Sequence, residues 1–101
     1  MFLIRDIMYC RPGKVRPMVE RFVAMAKLSE RAGMGKMRVT TDVSAERYWT
    51  VVSEMEVQSI DEAMKMEAGM EPEVARQFEA LMKDYHELVD YGRREIYKIE
   101  G

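Results

Sequence analysis

The sequence predicts an α+β domain in which strands and helices follow the order βαββαβ. Segments rich in aliphatic and aromatic residues alternate with segments whose apolar residues recur at helical spacing. Right-handed crossovers then place the helices on one face of a four-stranded antiparallel sheet. With 101 residues, the chain has the length of a single domain, spanning 1–101, with one hydrophobic core.

The first half of the chain supplies a strand, a helix and a second strand. Residues 2–10 are strand-like and stop at the turn signal Arg11-Pro12-Gly13. A helix begins near Pro17 and ends at Gly33 and Gly35, which can take a left-handed cap conformation. Residues 37–41 form the second strand, and the polar turn after it predicts a hairpin.

The second half begins with the most strand-like segment of the chain, residues 47–57. Ser59 and Glu62 match a capping box, so a short helix is predicted to start there and to break at Gly69. Pro72 fits the first turn of a further helix, and Gly92 ends it before a last strand over 94–99. The apolar face of that helix comprises Val74, Phe78, Leu81, Met82, Tyr85, Leu88 and Val89.

Charge and residue usage exclude several classes of function. The 16 basic and 18 acidic side chains are interspersed and give a net charge of -2, so we expect neither nucleic-acid binding nor a membrane anchor. The N-terminal segment does not match a signal peptide, which predicts a cytoplasmic protein. One Cys and one His do not supply the ligands of a usual metal site, and we expect no metal. The eleven methionines are interpreted as adaptable core fillers, with a few on the surface, rather than as a cavity lining.

The two central strands are apolar on both faces, which predicts a partner for the sheet. In the first strand Ile4 and Met8 lie on one side, and Ile7 and Tyr9 lie on the other. Helices can cover only one of these faces. We therefore expect a homodimer formed through the open face of the sheet, although a different partner protein would satisfy the same requirement.

Several turns and strand ends resemble those of the dimeric α/β barrel superfamily, in particular its NIPSNAP-like members, with antibiotic-biosynthesis monooxygenases as more distant relatives. The residues that carry the resemblance are 11–14, 39–42, 51–56 with Ser59-Ile60, and 92–97. The resemblance implies ferredoxin-like subunits joined through their sheets, with pockets between sheet and helices. It also implies oxygenase or isomerase chemistry that needs no cofactor in some members. Haem-degrading members use an Asn that this chain lacks, so no haem is expected.

Four residues are the candidates for a ligand site: Arg5, Trp49, Tyr85 and His86. His86 is the first candidate for catalysis because its ordinary pKa lies near neutrality, but a partly solvated His beside Asp90 is the simpler interpretation. Arg5 is predicted either to hold an anionic ligand or to pair with Glu54 across the strands. Two hypotheses follow: a dimer that binds a small, mostly apolar molecule, or a non-enzymatic interaction dimer with a filled interior.

Overall fold

The computed structural model describes every residue from Met1 to Gly101 and contains four strands and three α-helices. The order of the elements confirms the predicted βαββαβ arrangement, in which two successive helices occupy the second helical position. The bounds are β1 Phe2–Cys10, α1 Val15–Arg31, β2 Met37–Thr41, β3 Thr50–Val57, α2 Ile60–Ala68, α3 Pro72–Leu81, a 3₁₀ turn Tyr85–Glu87, and β4 Val89–Lys98.

The sheet is antiparallel throughout and has the strand order β2-β3-β1-β4. Strand β1 lies in the middle and pairs with β3 on one side and β4 on the other, so Arg5 faces Glu54 and Glu95. This is the ferredoxin-like topology that the sequence predicts. Because successive side chains alternate between faces, the register decides which residues meet the helices and which lie on the open face.

The main core lies between the sheet and the helices. Its buried members are Cys10, Met18, Phe22, Val51, Leu88 and Val89. A second, smaller buried cluster of Ile7, Tyr9 and Val52 lies on the opposite face. The guanidinium of Arg47, in the loop between β2 and β3, lies 4.6 Å from the centre of the Tyr9 ring. This loop therefore covers part of the sheet face that the sequence predicts to be open.

The prediction for the last helix was wrong at its C-terminal end. Helix α3 ends at Leu81, and Asp84 then takes a left-handed conformation with φ of 59°. Arg21 of α1 donates hydrogen bonds to the carbonyls of Leu81 and Lys83, which satisfies part of the helix end. Leu88 and Val89 have helical spacing relative to α3, but they belong to the entry into β4.

Gly92 lies within β4 opposite Met8, so its predicted role as a helix terminator was also wrong. A Cβ atom at this position would come within 2.6 Å of the Met8 sulfur and 3.2 Å of the Ile7 carbonyl oxygen. The last strand accordingly starts at Val89, five residues before the predicted start at 94. The absence of a side chain at Gly92 allows β1 and β4 to approach each other closely at this position.

Strand β3 starts at Thr50 rather than at residue 47 because the chain turns sharply just before it. Trp49 has a φ of 59°, an uncommon backbone conformation for a bulky residue. The Thr50 amide donates to the Asp42 carboxylate at 2.8 Å, and the Thr50 hydroxyl donates to the Arg47 carbonyl at 2.8 Å. These bonds hold residues 42–49 as a folded loop.

The capping box that predicts α2 is confirmed at its N-cap. The Ser59 hydroxyl accepts a hydrogen bond from the Glu62 amide at 3.0 Å. Gly69 follows the last residue of α2, as predicted. Although α2 is properly capped, it contains no buried residue, so it lies over the sheet without contributing to the core.

Candidate functional site

A pocket of about 420 Å³ lies between the helix-facing side of the sheet and the three helices. Twelve of its 17 lining residues are hydrophobic. Ile4, Met55 and Ile96 belong to the sheet wall, and Met25 and Phe78 belong to α1 and α3. We call this cavity the methionine pocket.

Seven of the eleven methionines line this pocket. They are Met25, Met34, Met37, Met55, Met64, Met66 and Met70. The interpretation of the methionines as core fillers describes Met18, which is fully buried, but it misses most of the others. Met64 and Met66 are 65% and 45% exposed, so the side of the pocket formed by α2 is open to solvent.

A pair of opposite charges forms the polar part of the pocket wall. Asp6 of β1 and Arg94 of β4 are direct neighbours in the sheet and share two hydrogen bonds, 2.7 and 3.2 Å long. The hydrogen bond to Asp6 is the largest factor that raises the pKa of Arg94, and the charge of Glu67 adds to it. Glu67 and the buried Ser53 also line the pocket. The site thus combines an apolar wall with a few polar groups.

Arg5, one of the four predicted site residues, lies on the opposite face of the sheet. Its guanidinium bonds to Glu54 at 3.1 Å and to Glu95 at 3.3 Å. The cross-strand pair with Glu54 is one of the two roles that the sequence predicts for Arg5. Because the sheet lies between Arg5 and the methionine pocket, the two cannot contact the same small ligand within one chain.

The other three predicted residues also lie outside the methionine pocket. Trp49 is 47% exposed in the loop before β3, next to Tyr48. Tyr85 packs against the main core, and its ring centre lies 4.2 Å from that of the exposed His86. Asp90, the expected partner of His86, forms an ion pair with Arg47 instead, at 3.6 Å. The structure therefore brings Tyr85 and His86 together but not the set of four.

The charged residues on the open face form a row across all four strands. Arg38, Glu54, Arg5 and Glu95 follow one another in the sheet register, with N–O distances of 2.5, 3.1 and 3.3 Å between neighbours. Glu54 is only 14% exposed in this row. The hydrogen bond from Arg38 is the largest factor that lowers the pKa of Glu54, and Arg5 lowers it further. We call these four residues the charge row.

Sequence comparison finds no match for the chain among family models, and it finds none among curated proteins. No helix is long and apolar enough to cross a membrane.

The fold, in contrast, matches solved structures over nearly the whole chain. A NIPSNAP domain protein from Burkholderia xenovorans aligns with a TM-score of 0.74 at 12% identity, over 99% of this chain and 95% of the other. A NIPSNAP-like domain protein from the same organism gives 0.75 at 15% identity, over 98% and 84%. A candidate antibiotic biosynthesis monooxygenase from Deinococcus radiodurans gives 0.68 at 13% identity, over 100% and 94%. The chain therefore has the ferredoxin-like fold of the NIPSNAP domain proteins, as its turns and strand ends predict.

Proposed function

We propose that this chain is a NIPSNAP-like protein that binds a small, mostly apolar molecule in the methionine pocket. The observation that carries this proposal is a cavity of about 420 Å³ with a predominantly hydrophobic wall. Ligand pockets in proteins typically measure roughly 300–1,000 Å³ and combine apolar walls with a few polar groups. A cavity of this size at the helix–sheet junction supports ligand binding over the alternative of a filled interior.

The polar groups define how such a ligand would be oriented. Arg94 offers donors and Asp6 offers acceptors, although each already bonds to the other. Ser53 adds a hydroxyl from the neighbouring part of the sheet. We infer a ligand with an apolar body and one polar end that lies against Asp6 and Arg94.

Oxygenase or isomerase chemistry without a cofactor, which the resemblance implies, would need a group that accepts a proton from the ligand. The groups of this kind in the methionine pocket are the carboxylates of Asp6 and Glu67. His86 is exposed and does not line the pocket. We propose that any such reaction uses one of these carboxylates and not His86. A cytoplasmic location stays a prediction.

Two substitutions on one helix test the binding proposal. Ala63 lines the methionine pocket, whereas Ala68 is exposed at the end of α2. We expect Ala63→Phe to fill the cavity and to abolish the thermal stabilisation that hydrophobic acids or quinones give the unsubstituted chain. Ala68→Phe should leave that stabilisation unchanged. Equal responses of the two variants, or no stabilising ligand in such a screen, would contradict the proposal.

We also propose that the chain forms a homodimer through the open face of its sheet. Tyr91 and Tyr97 of β4 are 51% and 49% exposed on that face. The charge row alternates in sign across four positions, and such a row is complementary to a reversed copy of itself. The loop over Tyr9 reduces the area that a partner must cover, so the proposed interface is smaller than the whole open face of the sheet.

Solution size tests the dimer at micromolar concentration by light scattering after size exclusion. We expect a dimer for the unsubstituted chain and a monomer for Glu95→Lys, which places a third positive charge in the row. Glu79→Lys, on the exposed surface of α3, reverses the same charge away from the sheet and should remain dimeric. A monomeric unsubstituted chain would refute the proposal.

A further inference from the structure

Two methionines lie side by side on the sheet wall of the methionine pocket. Met37 of β2 and Met55 of β3 are direct partners in the antiparallel register, and both line the pocket. Side chains at directly opposite positions have Cβ atoms about 4.5–5.5 Å apart. The two thioether side chains are therefore attached to neighbouring positions of the sheet, and both line the same cavity.

Further thioether groups approach this pair from the helical side. Met64 and Met66 of α2 and Met70 just after it all line the pocket. Methionine is unbranched with three rotatable bonds, so its sulfur can move to meet a ligand. Met64 and Met66 are partly exposed, so the thioethers on the α2 side of the pocket are in contact with solvent.

The methionine sulfurs that line the pocket are soft electron donors for a metal ion. Thioether sulfur prefers soft cations such as Cu(I) over hard or borderline divalent cations. No group of three or more His, Cys, Asp or Glu side chains is placed to hold a metal ion. The charged groups on the pocket wall are Asp6, Glu67 and Arg94, whose formal charges of -1, -1 and +1 sum to -1 and favour a cation over an anion.

We propose that the methionine pocket binds a soft monovalent cation, Cu(I) or its analogue Ag(I), through the sulfurs of Met37, Met55 and at least one methionine at α2. This second ligand class uses the cavity described above but does not depend on the binding of an apolar molecule.

Titration with Ag(I), which does not change oxidation state, tests the proposal through the methyl resonances of the eleven methionines. The titration is carried out on the unsubstituted chain and on Cys10→Ala, because a thiol is itself a strong soft ligand. We expect saturable shifts at Met37 and Met55 in both proteins, with no shift at the core residue Met18. Loss of binding in Cys10→Ala, or equal shifts at Met18, would overturn the proposal.

Substitution by leucine separates the sulfur atoms from the apolar wall. We expect Met37→Leu combined with Met55→Leu to weaken Ag(I) binding by at least about tenfold, because two soft ligands are lost while volume is kept. Met82→Leu, which packs against the main core outside the pocket, should bind Ag(I) normally. Unchanged affinity of the double variant, or equally strong binding of Zn(II) to the unsubstituted chain, would overturn the proposal.

The two ligand classes can fail separately. The double leucine variant should still be stabilised by an apolar ligand, whereas Ala63→Phe should lose that ligand by filling the cavity. Stabilisation by apolar ligands without Ag(I) binding would refute the proposed cation site but not the proposed function. Ag(I) binding without any apolar ligand would leave the cation site standing and refute the proposed function.

Discussion

Asp6 and Arg94 face each other across β1 and β4 and share two hydrogen bonds at the wall of the methionine pocket. The pair places both signs of charge beside a cavity that is otherwise mainly apolar. It therefore fixes two groups that a ligand's polar end can meet, and it ties the central strand to an edge strand.

Replacement of Asp6 by Asn tests the contribution of this pair to stability. Arg94 is 56% exposed, so solvent screens the interaction, and we expect a loss of about 0.5–1 kcal/mol in the free energy of unfolding. Urea unfolding measures this loss. Asp61→Asn, which breaks an exposed pair with Lys65, is the control and should have almost no effect. Equal losses in the two variants would show that the position of the Asp6–Arg94 pair in the sheet adds nothing to its contribution to stability.

The charge row predicts a specific dependence of stability on pH. Arg38 and Arg5 lower the pKa of Glu54 below its ordinary value of 4.5, so the folded chain keeps this carboxylate ionised at lower pH than the unfolded chain. The resulting stabilisation is complete above pH 4.5 and is lost as the pH falls through the lowered pKa.

Glu54→Gln should therefore be less stable than the unsubstituted chain at pH 7, and the difference should shrink in acid. Thermal unfolding from pH 7 down to pH 3 measures the effect. Glu79→Gln removes an exposed carboxylate from α3 and should follow the unsubstituted chain at every pH. A difference in stability between Glu54→Gln and the unsubstituted chain that stays constant over this pH range would contradict the lowered pKa of Glu54.

Gly92 predicts a steric coupling between β1 and β4. A methyl group at this position would meet the Met8 sulfur, which ends a flexible side chain and can turn aside, and the Ile7 carbonyl oxygen, so we expect a cost of about 1 kcal/mol, the low end for overpacking. We expect Gly92→Ala to destabilise the chain by this amount, and a shorter side chain in Met8→Val to recover part of the loss. A double-mutant cycle measures the coupling. Additive effects of the two substitutions would show that the Ile7 carbonyl, rather than Met8, sets the limit.

The N-cap of α2 predicts that removal of one hydroxyl group lowers the free energy of unfolding by a small amount. Ser59→Ala removes the acceptor for the Glu62 amide and should lower the free energy of unfolding by about 1 kcal/mol. Ser44→Ala removes an exposed hydroxyl from the loop before β3 and should be neutral. Denaturant titration of both variants checks the difference. A neutral Ser59→Ala would mean that water replaces the cap without cost.

The topology was predictable because local patterns determine most of it. Strand β1 stops at the predicted turn, and the Ser59 cap starts α2 where expected. The errors arise where two periodicities overlap. Leu88 and Val89 fit the apolar face of a helix, but the left-handed turn at Asp84 separates them from α3. Asp tolerates the left-handed conformation better than most residues, but a single Asp within a helical pattern is too weak a signal to place the turn at Asp84.

The site was harder to predict than the fold because it depends on register. Arg5 and Asp6 both interrupt an apolar strand, and only Arg5 is predicted as a site residue, either to hold an anionic ligand or to pair with Glu54. Alternation along β1 places Asp6, together with Ile4 and Met8, on the helix side. The sequence therefore contained the information that Asp6, and not Arg5, faces the pocket. The convergence of seven methionines was not visible, since it requires the packed positions of α1, α2, β2, β3 and the turns that follow the two helices.

Helix α2 has a further consequence for how the methionine pocket is entered. It has no buried residue, whereas α1 buries Met18, Phe22, Leu28 and Ser29. Little apolar area therefore resists the detachment of α2, and segments of this kind open locally at a small fraction of the global unfolding cost. Its amide hydrogens should exchange with solvent well before those of α1. A bound ligand that contacts Met64 or Met66 would slow that exchange, so the amide protection of α2 would report whether the pocket is occupied.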